Sequence, residues 1–116
     1  MSQVRVLDAT AVDAAVSALN AGGLIGFPTE TVYGLAAVAE NEKAVRRIYE
    51  VKGRPLDHPV IVHIGTFEEI DYWAKEISSQ ARTLAKTFWP GPLTLIVKRA
   101  EPAGDWLTGG QETVAL

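Results

Sequence analysis

Apolar residues recur along the chain as short runs and helical stripes separated by polar turns. Runs at 24–27, 60–64 and 93–97 predict buried strands. Between them, apolar positions three and four residues apart predict helices, because that spacing puts side chains on one face. The stripes are Val12/Val16/Leu19, Ala44/Val45/Ile48/Val51, Phe67/Ile70/Ala74/Ile77 and Ala81/Leu84/Ala85/Phe88. Strands alternating with helices predict an α/β architecture, with helices packed on one open, twisted sheet.

Polar residues mark the starts of the predicted helices. Thr10 with Asp13, and Thr66 with Glu69, have the spacing of capping boxes. Asn41 is the expected N-cap of the helix that carries Val45 and Ile48. We therefore expect helices to begin just after these three caps.

Glycine, proline and hydroxyl residues mark the remaining boundaries. Gly53 is the expected left-handed C-cap of the second helix, and Pro90 ends the last one. Thr29 or Thr31 is expected to cap a short helix from Val32. Short strands are predicted at residues 4–7 and 113–116, and residues 101–111 are predicted to form a loop.

Composition narrows the possible chemistry. A chain of 116 residues predicts a single domain, and no apolar run is long enough to span a bilayer. Residues 1–20 lack the basic start and apolar centre of a secretory signal, so a soluble cytoplasmic protein is expected. The chain has no cysteine and only two histidines, which excludes disulfides, thiolate catalysis and a histidine-rich metal site. The side-chain groups left as candidates for catalysis or binding are hydroxyls, carboxylates and cations.

Positive charge is concentrated in one segment. Residues 43–54 contain five cations and one anion, for a net +4, whereas the rest of the chain, with six basic and thirteen acidic residues, is −7. A positive patch on an acidic body attracts an anionic ligand to one place. For Lys43, Arg46 and Arg47, however, the simpler interpretation is a solvated helix face.

A cluster of polar side chains follows the first apolar run. Thr29, Glu30, Thr31 and Tyr33 offer two hydroxyls, a carboxylate and a phenol within five residues, a set suited to a small polar ligand such as an amino acid. The alternative is that both threonines are caps and turn formers. His63, at the end of the second run, is either a core histidine or part of a site.

Lys52 and Arg54 flank Gly53 at a helix C-terminus. Cations there complement the negative end of the helix dipole, which is a sufficient structural explanation. Alternatively, a planar guanidinium and an ammonium held by a Gly-x-Pro turn suit a polyphosphate. The common phosphate-loop, dinucleotide-binding, nucleophile-elbow and zinc-helix motifs are all absent from the sequence.

Four sequence blocks resemble the YrdC-like family of threonylcarbamoyl-AMP synthases. They are FPTETVYGL at 27–35, KGRPLDHPVIVHI at 52–64, FWPGPLTLI at 88–96 and TVAL at 113–116, in the family's order and spacing. The resemblance implies a single YrdC-like domain over residues 1–116, built on a twisted, open, mixed sheet with flanking helices.

The resemblance also implies a reaction. Family members convert L-threonine, bicarbonate and ATP, with Mg²⁺, to threonylcarbamoyl-AMP and pyrophosphate. The product serves a downstream transferase that modifies a tRNA adenosine beside the anticodon. The expected class is therefore a nucleotidyltransferase in which no side chain becomes covalently attached to the substrate.

Residues are assigned through the same resemblance. Lys52 and Arg54 match the family's K-x-R pair that holds ATP phosphates, and Thr113 resembles a nucleotide contact. The threonine pocket corresponds to Thr29, Thr31, Tyr33 and His63.

The sequence departs from the family pattern at its end. The family continues through an arginine and a Ser-x-Asn motif that closes the nucleotide site, and neither is present before Leu116. The domain is therefore expected to be truncated at its C-terminal end, and this chain alone to be weakly active or inactive.

Two other functions fit parts of the sequence. One is a non-enzymatic module that binds double-stranded RNA or tRNA, supported by the +4 segment. The other is a maturation domain that uses carbamoyl phosphate and ATP, and which would not bind L-threonine.

Overall fold

The computed structural model describes residues 10–116, and the strand predicted at residues 4–7 lies outside them. Helices and short strands alternate along the described part of the chain, which confirms the predicted α/β class. The elements are α1 Val12–Asn20, β1 Ile25–Pro28, β2 Tyr33–Ala36, α2 Glu42–Lys52, a 3₁₀ turn Phe67–Glu69, α3 Ile70–Trp73, α4 Ser79–Phe88, β3 Ile96–Lys98, α5 Asp105–Thr108 and β4 Thr113–Ala115.

The first sheet is a hairpin. β1 and β2 pair antiparallel, with Ile25 opposite Ala36 and Pro28 opposite Tyr33. The helix predicted from Val32 is therefore wrong. The Thr29 hydroxyl accepts hydrogen bonds from the amides of Thr31 and Val32, and so it stabilises a turn that reverses the chain instead of capping a helix.

The second sheet has mixed pairing. β3 and β4 pair antiparallel, with Ile96 opposite Ala115. An isolated parallel bridge joins Ile61 to Ala115, and an antiparallel bridge joins Ala74 to Arg99. β4 thus lies between the 60–62 segment and β3. The predicted strand at 60–64 is reduced to this one bridge, and the strand predicted at 93–97 begins at Ile96.

The core lies on one face of this second sheet. Val62, Val114 and Leu95 are buried there, together with Ile70 and Leu107 from neighbouring helices. Val62 and Val114 lie on adjacent strands with their side chains on the same face. Burial of these branched side chains is the main favourable term that holds the sheet to the helices.

α2 follows the prediction at both ends. The Asn41 side chain accepts a hydrogen bond from the Ala44 amide at 3.1 Å, and Gly53 adopts the left-handed conformation with φ 64°. Val45 and Ile48 are buried as expected. Val51 is exposed, and Tyr49 takes the inward position one turn after Val45.

The capping signals at the other helices are confirmed only in part. Glu69 accepts hydrogen bonds from the amides of Gly65 and Thr66, so the Thr66 capping box forms. α1 has Ala11 at its N-cap, one residue after Thr10.

The long helix predicted over residues 67–77 ends at Trp73. Beyond it the backbone pairs with β3 instead, with the Lys75 amide donating to the Lys98 carbonyl. Glu76 then has a positive φ of 51°, which a continuing helix does not allow. Strand pairing has therefore replaced the last turns of the predicted helix.

The predicted apolar stripe of α1 is not buried, and that of α4 is buried only in part. Val12 and Val16 on α1 are exposed. On α4, Leu84 and Phe88 are exposed while Ala85 is fully buried. A small side chain lets this helix approach the core closely, so α4 packs through its alanine line and its larger residues face outward.

The predicted loop at 101–111 contains α5, which packs against the segment after α2. The Val60 amide donates to the Leu107 carbonyl at 3.0 Å. Gly109 follows α5 with φ 63°, and a Cβ built there would lie 2.4 Å from the Asp57 carbonyl oxygen. Only glycine therefore allows this close approach.

Replacing Gly109 with alanine tests this contact. We expect Gly109→Ala to lower the free energy of unfolding by about 1 kcal/mol more than Gly110→Ala does. Gly110 is a matched control, because it also has a positive φ (83°) but no atom near a built Cβ. Urea denaturation measures both variants, and equal losses would show that the Asp57 contact does not limit this position.

Candidate functional site

The second sheet has an open face opposite its core. Side chains alternate along strands, so Ile61, Ile96 and Ala115 share the face opposite Val62 and Val114. Ile61 is 51% exposed and Ile96 is 73% exposed. We define the open sheet face as Ile61, His63, Ile96, Lys98, Thr113 and Ala115. Two of the residues predicted to bind ligands, His63 and Thr113, belong to it.

One end of the open sheet face carries Thr113 and lies near Arg54. Residues 60–62 run parallel to β4, with Ile61 beside Ala115. Two residues back along these parallel segments are Pro59 and Thr113. An Arg54 Nη2 group donates to the Pro59 carbonyl at 3.0 Å. The parallel pairing is confined to the Ile61–Ala115 bridge, because the Val60 amide bonds the Leu107 carbonyl instead of β4. Arg54, through Pro59, and Thr113 thus both lie on the N-terminal side of that bridge.

The other end of the open sheet face meets the hairpin. The rings of His63 and Phe27 pack edge to face, with centroids 5.9 Å apart and planes at 88°. Phe27 lies two residues before Thr29, so the hairpin turn is close to His63. Pro59 and His63 are four residues apart, or roughly 13 Å along an extended chain. His63 is exposed, and the prediction of a buried strand position for it is wrong.

The hairpin turn presents two hydroxyls to solvent. The Thr29 hydroxyl is engaged within the turn, because it also donates to the Val32 carbonyl. Thr31 and Tyr33 are exposed, and within residues 10–116 neither side chain forms a hydrogen bond. Thr29 therefore shapes the turn, while Thr31 and Tyr33 are free to contact a ligand.

The basic turn after α2 combines a free cation with a fixed one. Lys52 is the last residue of α2, is exposed, and has no ion pair within the described residues. Arg54 is half-buried, and its amide donates to the Tyr49 carbonyl at 2.9 Å. A helix C-terminus repels anions. Any attraction for phosphate at this turn must therefore come from the two side chains.

Tyr49 supports this turn, and the sequence interpretation did not single it out. Its hydroxyl donates to the His58 carbonyl at 2.6 Å, and the residue is 2% exposed. Burial raises the pKa of the phenol above its usual 10, and the nearby Arg54 charge partly opposes that rise. The available signal was its spacing of four residues from Val45, which places an aromatic ring on the core side of α2.

A charged cavity of about 580 Å³ adjoins the open sheet face at Lys98 and contains none of the predicted site residues. Lys98 and Arg99 line it, and each is paired with a carboxylate, Glu76 at 3.3 Å and Asp105 at 2.7 Å. Lys75 also lines it, but so do Glu101 and Glu112, so four carboxylates face three cations and the cavity does not rival the basic turn as an anion site. Within residues 10–116, no helix is long and apolar enough to cross a membrane.

Comparison with known proteins identifies the family. The Sua5/YciO/YrdC family model, described as "Telomere recombination", matches residues 17–116. The threonylcarbamoyl-AMP synthase of Pyrococcus abyssi is 54% identical over 98 residues, which cover 84% of this chain and 29% of that protein. The enzyme of the same name from Bacillus subtilis is 46% identical over 103 residues, covering 88% of this chain and 30% of its own length.

A solved structure supports the same relationship. The crystal structure of Pyrococcus abyssi Sua5 complexed with L-threonine superposes with a TM-score of 0.87 at 49% identity, covering 96% of this chain and 33% of that one. The chain thus spans about a third of the length of these relatives. The chain belongs to the Sua5/YciO/YrdC family.

The contact between Phe27 and His63 can be tested by a double-mutant cycle. We expect Phe27→Leu and His63→Gln to show a coupling of about 0.5–1 kcal/mol in the free energy of unfolding, because either change alone removes the edge-to-face pair. Tyr72→Leu is the control partner, since the Tyr72 ring contacts Trp73 instead. Additive effects for Phe27 and His63 would contradict the placement of the hairpin beside the open sheet face.

Proposed function

We propose that this chain forms the substrate-binding surface of a threonylcarbamoyl-AMP synthase. The reaction would join L-threonine, bicarbonate and ATP to give threonylcarbamoyl-AMP and pyrophosphate. The observation that carries the proposal is that three of the four family blocks meet at the second sheet and the first block, in the hairpin, packs against it. The first block contacts the second through Phe27 and His63. Backbone hydrogen bonds join Val62 of the second block to Ala115 of the fourth, and Leu95 of the third block to Leu116 of the fourth.

The hairpin end of the open sheet face is the proposed L-threonine site. Thr31 and Tyr33 offer exposed hydroxyls without hydrogen bonds among the described residues, and His63 offers an exposed imidazole beside Phe27. Tyr33 pairs with Pro28, so its phenol lies on the face of the hairpin opposite Phe27. Thr29 sets the turn from which Thr31 projects. These short-range polar groups suit an amino acid that carries its own hydroxyl, amine and carboxylate. The related Pyrococcus abyssi Sua5 was crystallised as a complex with L-threonine, which supports this choice of ligand.

The other end is the proposed ATP site. Lys52 supplies a mobile ammonium, and Arg54 supplies guanidinium N–H groups beyond the one that binds Pro59. Thr113 lies on the open sheet face at this end. Mg²⁺ would enter as part of the Mg-ATP substrate, where it neutralises phosphate charge. The spacing of roughly 13 Å between the two ends suits substrates that meet between them.

The chemistry needs positioning more than side-chain reactivity. The threonine amine and bicarbonate condense to a carbamate with loss of water. A carbamate oxygen then attacks the α-phosphorus of ATP, and the bond to the β-phosphate breaks as pyrophosphate leaves. No protein nucleophile takes part, so catalysis depends on holding the carbamate in line and stabilising phosphate charge.

Because the product would be used in tRNA modification, we also propose RNA and a downstream transferase as partners. The proposed location is the cytoplasm. Lys43 and Arg47 are exposed on α2, whereas Arg46 pairs with Glu42 at 2.7 Å. Because the basic segment offers only a few cations and the rest of the chain is −7, we expect RNA to bind weakly, with a shallow dependence on salt concentration. A steep salt slope in an RNA titration would instead favour the non-enzymatic RNA-binding function.

The phosphate assignment is tested at Lys52. We expect Lys52→Ala to weaken Mg-ATP binding at least tenfold, because it removes an exposed ammonium that has no ion pair within residues 10–116, while L-threonine affinity stays within twofold. Isothermal titration calorimetry measures both ligands. Lys43→Ala is the matched control, since it removes an exposed lysine from the same basic segment, and it should leave both affinities unchanged.

Three outcomes of that titration differ in meaning. Unchanged ATP affinity in Lys52→Ala and also in Arg54→Ala would overturn the phosphate site. No binding of L-threonine by the wild type would favour the maturation-domain alternative, which has no use for the amino acid. Binding of both ligands with little pyrophosphate release would support the proposed binding surface, since this chain spans only about a third of the length of its relatives.

A further inference from the structure

We propose that Tyr49 is a positioning residue for ATP, which holds the segment 54–59 in the shape that fixes Arg54. The inference rests on the proposed function, because it concerns the same phosphate-binding turn. Tyr49 itself is buried and does not face the ligand. It would act on affinity only through the segment that it holds.

One residue ties both ends of this segment. The Tyr49 carbonyl accepts a hydrogen bond from the Arg54 amide at 2.9 Å. The Tyr49 hydroxyl donates to the His58 carbonyl at 2.6 Å. The segment from 54 to 58 is therefore closed into a loop whose two ends lie against a single residue of α2. Buried hydrogen bonds of this kind are costly to leave unmade.

The Arg54 side chain depends on that closure. Its Nη2 group donates to the carbonyl of Pro59, the residue next to His58. If the His58 carbonyl is released, the acceptor that orients the guanidinium moves with it. A bidentate arrangement with phosphate requires a fixed guanidinium plane, so the orientation of Arg54 bears directly on affinity.

The far side of the segment is supported separately. The Val60 amide donates to the Leu107 carbonyl, and Gly109 closely approaches Asp57. The Tyr49 hydroxyl is also 3.4 Å from the Trp106 carbonyl, which joins α2 to α5 at this point. Because the Val60 and Gly109 contacts survive loss of the phenol hydroxyl, removing it should loosen the loop without unfolding the protein.

The experiment removes the hydroxyl and keeps the ring. Tyr49→Phe is compared with Tyr72→Phe, a matched control that also loses a hydroxyl hydrogen-bonded to another residue, in this case Glu40. Hydrogen–deuterium exchange follows residues 54–60 in the absence of ligand. Calorimetry then measures the Kd for Mg-ATP, for inorganic tripolyphosphate and for L-threonine in the same samples.

In Tyr49→Phe we expect exchange in residues 54–60 to accelerate about tenfold, with α4 unaffected. Kd for Mg-ATP and for tripolyphosphate should rise about fivefold to tenfold, while Kd for L-threonine changes less than twofold. Tyr72→Phe should alter none of these values. A purely structural role for Tyr49 would change the Kd for phosphate ligands and for L-threonine alike, so a change confined to the phosphate ligands distinguishes the positioning role.

Two results would overturn the proposal. Unchanged exchange in residues 54–60 would show that the hydroxyl does not hold the loop. Unchanged phosphate affinity, or equal weakening of phosphate and L-threonine binding, would show that it does not act through Arg54. If exchange accelerates but the wild type binds neither Mg-ATP nor tripolyphosphate, the proposed function fails while the structural role of Tyr49 stands.

Discussion

Backbone pairing on both sides of β4 is the constraint on which the rest of the structure depends. β4 spans only Thr113–Ala115, yet it pairs with β3 on one side and meets the 60–62 segment on the other. This places two regions that are about fifty residues apart in sequence within one sheet. Closing so long a loop is entropically unfavourable. The burial of Val62 and Val114 on the shared face supplies the compensating stabilisation.

The alternation of side chains along the paired strands determines which residues form the candidate site. Because alternate residues face opposite ways, burying Val62 and Val114 leaves Ile61, Ala115 and Thr113 on the other side. Sequence spacing alone would put Arg54 and Thr113 far apart. The parallel bridge that joins Ile61 to Ala115 puts Arg54 and Thr113 on its N-terminal side, and His63 on its C-terminal side. The separation of the two proposed half-sites is thus a consequence of how the core is packed.

Local signals in the sequence predicted local structure well. Asn41, Gly53 and the Thr66 capping box act through atoms within a few residues, so their effects do not depend on the rest of the fold. For Thr29 the turn-forming interpretation is confirmed and the helix cap is wrong, because a threonine hydroxyl caps a helix and closes a turn through the same kind of hydrogen bond. The candidate ligand residues were identified by the family's motifs. Tyr49 was not, because its hydroxyl bonds a carbonyl nine residues away, which no periodic pattern reveals.

The contacts that hold the basic turn can be related to the charges around it. The C-terminal end of α2 carries partial negative charge, which disfavours phosphate there. Lys52 and Arg54 must outweigh that effect, and a cation does so best when its distance and orientation are fixed. The 54–60 segment is held by Tyr49 at its start and by the Leu107 carbonyl at its end. The bond from the Arg54 amide to the Tyr49 carbonyl belongs to the left-handed C-cap at Gly53, which any helix can end with, so it does not by itself indicate a ligand. The bond from the Tyr49 hydroxyl to the His58 carbonyl is not part of a cap, and under the proposed function it serves to fix Arg54 for an anion.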